Sequence, residues 1–484
     1  MTTPTMPNEL PDGDLTVRFD GATLDIAVLD ALAAAGVPFS ADERIRYEHG
    51  RDWWPLTIGW ISKGVVPALA GAVVQPRTVA HVSEALRIAN HYGVPVTPQG
   101  GRSGVVGGAV PVTGGLAIDL TNMNQVLDID NESLTVRVEA GMFGPDLERT
   151  LNASGLTVGH FPQSFDLATV GGWLACRGAG QLSNRYGKIE DIVRGLTVVL
   201  ADGRVIQTGG RGPRQAVGPD LTQMFVGSEG TLGIIVDATL ALHHVAAFQA
   251  RAAYSFDTVA AGLDACRRII QRGARPAVLR LYDVPESKRN FELERNALIV
   301  LDEGDELLVR ANMAIVAEEC ASAIREDDSH VEHWLGHRNN VSALTPLWER
   351  DIVVDTIEIA GPWSTLVTIY EKVTAALLAV ESTVTATMHQ SHAYQDGACL
   401  YFTFAGRPTS DLESYYRAAW NAASAAVLDN GGALSHHHGV GRNRARFMRD
   451  ALGSGFHILE LLKHTLDPKN ILNPGVLGLG GEPW

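Results

Sequence analysis

The stretch "VTPQGGRSGVVGG", residues 96–108, holds five glycines, one arginine and no acidic residue. Glycine trades side-chain packing for backbone freedom, so such a run marks a tight turn or a close approach to something. A glycine-rich turn between strands is the plainest reading. A P-loop needs Gly-Lys-Ser/Thr opening a helix, whereas Gly101 is followed here by Arg102 and Ser103. A Rossmann fingerprint also needs a helix behind its glycines, and "AVPVTGGLAIDL" (109–120) does not read as one. A third reading is a nest of backbone N–H groups facing one concavity, which favours an anion such as a pyrophosphate. Arg102 then adds charge to that site or is an ordinary solvated arginine.

The segments around this loop set the fold class. "VAHVSEALRIANHY" (79–92) has apolar residues at helical spacing and is stopped by Gly93. "GGLAIDL", "QVLDID" and "LTVRVEAG" after the loop are short alternating strands. "GPDLERTLNASG" (144–155) reads as a short helix with Pro145 near its start. From about residue 248, strands such as "FQARAAYSF", "PAVLRLYD" and "GACLYFTFAG" alternate with amphipathic helices, among them "STLVTIYEKVTAALLAVE". The expected class is α+β, with an N-terminal segment (1–45), a ligand-binding domain (46–243), a second domain (244–434) and a C-terminal segment (435–484). The second domain is expected to carry an antiparallel sheet flanked by helices.

Bulk properties narrow the function. The 484 residues suffice for two or three domains, and 45% hydrophobic content suits a large core. A formal net charge of -16 argues against a broad nucleic-acid surface. The most apolar run, "GVVPALAGAVV" (64–74), is broken by Pro67 and Gly71, so no transmembrane segment is expected. The polar, acidic start does not read as a signal or transit peptide. Cys176, Cys266, Cys320 and Cys399 stand far apart, as reduced thiols in the cytoplasm would.

Two further loops change the weight of the first. "HFPQSFDLATVGGWLACRGAGQLSNRYGKIED" (160–191) and "FVGSEGTLGII" (225–235) are rich in glycine and hydroxyls and lack the apolar period of a core element. Three close-approach loops in one domain imply an extended ligand carrying a flat ring, a sugar chain and a diphosphate.

In order, "PQGGRSG", "PQSFDLATVGGW", "NRYGKIED" and "GSEGTLGII" resemble the FAD-binding domain of the vanillyl-alcohol oxidase / p-cresol methylhydroxylase flavoprotein family. "RLYD" (280–283), "LWERD" (347–351), "YQDGACLYFTF" (394–404) and "SHHHGVG" (435–441) resemble its alkylglycerone-phosphate synthase branch. The resemblance implies a two-subdomain FAD-binding domain, a substrate or cap domain, and an enzyme. Pro98, Gln99, Gly100, Gly101, Arg102, Ser103 and Gly104 would wrap the FAD pyrophosphate, with Arg102 and Gly104 departing from the synthase pattern. Gln163, Ser164, Phe165, Asp166, Leu167, Ala168, Thr169, Cys176, Arg177, Gly178 and Ala179 would line the flavin and ribityl chain. Glu229, Gly230, Thr231, Leu232, Gly233, Ile234 and Ile235 would close the site. No histidine stands in the glycine loop where some relatives link the flavin covalently, so FAD is expected to be non-covalent.

The histidines of "SHHHGVG" admit three readings. Metal ligation is opposed by the lack of a cysteine or carboxylate at ligand spacing, and no metal is expected. They could also cap the backbone of the turn. The resemblance places them beside the flavin, with His438 the working member supported by His437 and His436. It likewise makes Tyr401 a proton donor or acceptor, although a strand tyrosine is often mere packing. It makes Arg350 and Arg280 substrate-binding residues and His160 a further catalytic candidate. An arginine fork suits a phosphate or carboxylate. The implied reaction exchanges the acyl group of acyl-dihydroxyacetone phosphate for a fatty alcohol, using flavin N5 as a covalent handle. Two alternatives stand beside it: hydride transfer from a 2-hydroxy acid or alcohol to flavin N5, and a flavin-binding module without turnover. The expected partner is a small-molecule or lipid-like substrate, reached at a membrane surface if it is a lipid, and the expected assembly is a homodimer.

Overall fold

Three main sheets carry the chain in the computed structural model, which describes residues 6, 9–210, 212–409, 411–481 and 484. In the first, Ala72–Val74, Leu116–Asp119 and Val96–Gln99 run parallel, with Phe39–Ser40 antiparallel at one edge. The second is a five-stranded antiparallel sheet between residues 126 and 241. These two sheets share one apolar core, filled by Val82, Leu86, Val96, Ile118, Leu147 and Val236 among others. The expected helix forms at Val79–Tyr92, with the Thr78 hydroxyl capping its start and Gly93 closing it at φ +68.

The third sheet has seven antiparallel strands and lies entirely within residues 248–406. Its spatial order places Val278–Tyr282, Thr383–Ala393, Gly397–Gly406 and Val353–Pro362 side by side. Successive strand residues point to opposite faces, which decides what this sheet does. Leu400, Phe402 and Phe404 are fully buried in a core shared with the helices Leu366–Ala379 and Leu412–Asp429. Truncating either phenylalanine to alanine would cost about 3–5 kcal/mol. Tyr401, Thr403 and Ala405 alternate with them and open onto a cavity.

The sequence reading did not foresee the strands Val353–Pro362 and Thr383–Ala393. Both mix buried polar residues such as Asp355, Glu358, His389, Gln390 and His392 with their apolar ones. That blurs the alternation on which strand recognition depends. The segment 160–191 also holds short helices, Val170–Ala175, Ser183–Tyr186 and Ile189–Ile192, where only loop was expected.

The end of the chain returns to the glycine loop. Leu472 bridges to Val96, and the Asn473 side-chain amide donates to the carbonyls of Gly108 and Glu229 at 2.9 and 2.8 Å. Buried Lys463 donates to the carbonyls of Thr231 and Leu472. Two of the close-approach loops are thereby tied together from behind.

Candidate active site

Between the glycine loop and the third sheet lies a cavity of about 770 Å³, within the range of cofactor and substrate pockets. Pro98 to Gly104 form one wall. Two of the glycines there, Gly100 and Gly101, are required by protein packing. A Cβ on Gly101 would stand 1.7 Å from the Leu167 carbonyl oxygen, and one on Gly100 would stand 2.2 Å from the Thr169 hydroxyl. A Cβ on Gly230 would meet the Pro98 ring at 2.4 Å. The three loops interlock, and their glycines leave backbone open to the cavity between the side chains that line it. Within the loop, Arg102 itself adopts φ +55. Burial, the largest influence, lowers the pKa of its guanidinium, with Asp119 acting upward and Arg51 downward.

Buried polar atoms on the cavity wall test whether a polar cofactor fits. Both ring nitrogens of His160, the Trp173 indole nitrogen, Gln181 Oε1 and Arg338 Nη1 have no hydrogen-bond partner among the described residues. Buried polar groups are normally paired, so this set calls for a ligand rich in donors and acceptors. His160 is fully buried against Trp173, with ring centroids 4.8 Å apart, and burial lowers its pKa to about 3. A neutral imidazole that both donates and accepts is the consequence. An isoalloxazine edge, a ribityl chain and a diphosphate would together satisfy such a wall. The residues fit FAD.

Strand register assembles the opposite wall. Tyr401 stands directly across from Glu358 on one side and His389 on the other, and His389 stands across from Tyr282. The next row on this face is Thr387, Thr403 and Thr356, and the next is Thr385, Ala405 and Val354. Rows two residues apart are about 7 Å apart. Tyr401 donates to the Thr356 hydroxyl at 3.0 Å and stacks on His389 at 4.7 Å. Burial, the largest influence, raises its pKa and keeps the phenol protonated.

Two carboxylates, the fully buried Glu358 and the half-buried Glu229, hold the histidine loop in front of Tyr401. Glu358 Oε1 accepts from the Ser435 hydroxyl and from the backbone N–H groups of His436, His437 and His438. Its other oxygen pairs with Arg444, and both side chains are completely buried. Burial pushes Glu358 upward, but Arg444 and then His438 outweigh it and hold the carboxyl well below the usual range. Glu229 takes the N–H groups of Val440 and Gly441 at 2.6 and 2.8 Å. Burial raises its pKa to about 7. Thus clamped, His438 sits edge-on to Tyr401 at 5.6 Å, with Nδ1 3.4 Å from Glu358. Burial lowers the His438 pKa, against the pull of Glu358.

His389 and Glu286, neither of which the sequence reading singled out, organise the cationic end. Arg280 can only donate, so its 2.7 Å contact makes His389 Nε2 an acceptor. His389 Nδ1 then carries the proton and donates to Glu286 at 2.8 Å. Burial would raise Glu286, but the hydrogen bond from His389 and the Arg289 guanidinium prevail and hold it below the usual carboxylate range. Arg280 lies 5.3 Å from the Trp334 ring and Arg338 lies 5.6 Å from it, so two guanidiniums flank one indole beside the cavity.

Several expected site residues lie elsewhere. Arg350 is exposed in the turn after the short helix Thr345–Trp348 and does not line the cavity. Arg338, twelve residues earlier at the end of the helix Ser329–His337, lines it instead. Of the second loop, Gln163, Ser164, Ala168, Thr169, Cys176, Gly178 and Ala179 face the cavity. Phe165 packs on Phe161, Asp166 is exposed, and Leu167 is buried with its carbonyl against Gly101. Arg177 turns outward toward Glu190. In the third loop Glu229, Gly230, Gly233, Ile234 and Ile235 face the cavity, while Thr231 and Leu232 are buried away from it, the Thr231 hydroxyl donating to the Ser228 carbonyl. His437 and His438 line the cavity, whereas His436 lies behind them, bonded to Tyr394 and His437. The fold also brings His392, Cys399, His436 and His437 together, one potential ligand atom of each lying within 4.8 Å of the others. The cysteine missing from the local sequence comes from the adjacent strand. Both ring nitrogens of His392 and His436, and Nδ1 of His437, are engaged with Tyr394, Ser391, the Gly180 carbonyl and one another.

Interlocked amide-rich loops facing a row of buried side chains across such a cavity define a flavin-dinucleotide-binding enzyme of two α+β domains. Comparison with known proteins agrees. The family described as "FAD binding domain" matches residues 70–209, and "FAD linked oxidases, C-terminal domain" matches residues 245–477. The uncharacterized FAD-linked oxidoreductase YgcU of Escherichia coli O157:H7 is 30% identical over 431 residues, covering 84% of this chain and 89% of that protein. Alkyldihydroxyacetonephosphate synthase of Dictyostelium discoideum is 29% identical over 85% of this chain and 74% of its own. Glycolate oxidase subunit GlcD of Bacillus subtilis (strain 168) is 29% identical over 84% and 89%. A solved alkyldihydroxyacetonephosphate synthase superposes with TM-score 0.80 at 25% identity, covering 97% of this chain and 90% of that one. p-Cresol methylhydroxylase shares the fold, with TM-score 0.75 at 16% identity and coverage of 94% and 96%. The chain belongs to the FAD-linked oxidase family, and its cofactor is FAD. Family membership sets aside the alternative of a flavin-binding module without turnover.

Proposed function

We propose that this flavoenzyme acts on an amphiphile with an anionic head and an apolar tail, with synthase-type exchange on acyl-dihydroxyacetone phosphate as the first reading. One observation carries it: a single cavity joins an arginine-lined end to an apolar end across the Tyr401 row. Arg280 and Arg338 suit a phosphate or carboxylate, and the neutral His389 holds Arg280 in place. Val354, Leu344 and Leu347 supply apolar wall on the other side. FAD, held non-covalently by the three loops, supplies an electron-poor ring that accepts electrons or a nucleophile. Tyr401, kept protonated, gives a proton to the departing or reacting oxygen, and neutral His438 takes one from the incoming alcohol. Glu358 fixes the loop so that this acid and base stay side by side.

A second reading is hydride abstraction from a 2-hydroxy acid or alcohol, favoured by the equal similarity to glycolate oxidase subunit GlcD. Anaerobic mixing separates the two. Formation of an ether product from acyl-dihydroxyacetone phosphate and a fatty alcohol, without bleaching of the flavin at turnover, supports the exchange. Bleaching by a 2-hydroxy acid or alcohol supports the dehydrogenase. A lipid-like substrate would bring the protein to a membrane surface, and no described helix is long and apolar enough to cross one. The proposed assembly is a homodimer, which light scattering would test.

A further inference from the structure

We infer that Trp53 is the stop at the apolar end of the cavity and sets how long a substrate tail the enzyme accepts. The sequence pairs two tryptophans, and the fold uses them differently. Trp54 is fully buried, and its indole nitrogen donates to the Tyr416 hydroxyl at 2.8 Å on the helix Leu412–Asp429. Trp53 instead lines the cavity beside Pro55 and Ile58, in the same apolar core as Trp348 and Val354. Its ring is held, the indole nitrogen donating to the Val341 carbonyl at 3.3 Å. Its backbone N–H donates to the Arg102 carbonyl at 3.0 Å. The backbone beneath it is equally fixed, because Asp52 accepts from the N–H groups of Trp54 and Ala109. A large ring pinned at both ends is a rigid limit, not a side chain that swings aside for a longer ligand.

The sheet face leads to this stop. Moving away from Tyr401, the rows change from tyrosine and histidine, through three threonines, to Thr385, Ala405 and Val354, about 14 Å along the strands. A tail laid along this face meets fewer polar side chains in the last row, where Ala405 and Val354 replace two of the threonines. A pocket that must reject one extra methylene discriminates by about 10–200-fold, which is the scale expected at the limiting length.

The inference rests on the amphiphile reading, and one titration series tests both separately. The flavin-loaded protein is titrated with n-alkyl phosphates from butyl to dodecyl and with the matching carboxylates, following the perturbation of the flavin spectrum. In the native protein, affinity should rise with length and then fall about 10-fold or more at one step. Trp53→Ala should move that step to longer chains while FAD content is kept. Trp53→Phe, which keeps bulk but loses the bond to Val341, should leave the step nearly in place and blunt it. A native protein indifferent to chain length in both series overturns the amphiphile reading and the stop with it. A clear step that Trp53→Ala leaves unmoved overturns the stop alone. Phosphates and carboxylates share the same stop, and whichever series binds more tightly identifies the head group. If Trp53→Ala loses flavin, Trp53→Leu replaces it under the same criteria.

Discussion

The two walls of the cavity are built on opposite plans. The glycine-loop wall depends on backbone contact, with side chains missing at Gly100, Gly101 and Gly230 so that three loops can lie against one another. The sheet wall is side chain, and its backbone is ordinary antiparallel strand whose register alone sets Tyr282, His389, Tyr401 and Glu358 in a row. The first plan tolerates no added atom at Gly100, Gly101 or Gly230. The second tolerates exchange of a side chain at the cost of its chemistry, so the two walls should fail differently when altered.

Gly101→Val should give the largest effect. A Cβ at 1.7 Å from the Leu167 carbonyl forces the loops apart, so FAD should be lost altogether, as read by flavin absorbance per mole of protein. Glu358→Ala should come next in stability. It leaves Arg444 buried without its partner, and removal of one member of such a pair costs about 3–5 kcal/mol. Chemical or thermal unfolding of the flavin-loaded protein measures this. Tyr401→Phe should keep full FAD content and lose about 10²-fold in turnover, the share of a positioned proton donor. Equal loss of flavin and activity in that variant would erase the contrast between the walls.

The corrected arginine assignment gives a smaller effect. Arg338→Ala should raise the KM for an anionic substrate about 10–100-fold, since hydrogen bonds to charged groups contribute about 1.5–3 kcal/mol. Arg350→Ala, on the exposed turn, should leave KM unchanged. The pH profile should shift least. Burial lowers His438 from its ordinary 6.5 and raises Tyr401 from 10.0. A base with a lowered pKa stays neutral, and so active, to more acidic pH. An acid with a raised pKa stays protonated to more alkaline pH. Activity should therefore be level through neutrality, its acid limb below 6.5 and its alkaline limb above 10. Limbs at the ordinary values would mean that other groups titrate.

The same contrast explains what the sequence disclosed. A backbone wall leaves its mark locally, because a required glycine cannot be anything else, and three glycine-rich loops were legible as one extended ligand site. Which residues in those loops face inward was not. Thr231 and Leu232 sit within a matching motif yet point into the core, since turn geometry orients side chains and composition does not. The side-chain wall is assembled from four strands spread over residues 278–406, and no local pattern announces such a row. Tyr401 and the histidine loop came from resemblance. Glu358 and His389 escaped because their strands mix buried charge with apolar residues, and Glu286 because it lies on the separate helix Val284–Phe291, outside any motif. Arg350 misled because a matched motif does not show which way its side chain faces, and this arginine stands on an exposed turn.

The central claim is that the interlocked glycine loops hold FAD against the Tyr401 row. Its most direct measurement is the absorption spectrum of the purified protein, before and after reconstitution with FAD. The account predicts a flavin spectrum at one equivalent per chain, released on denaturation. A protein that stays colourless after reconstitution would contradict it.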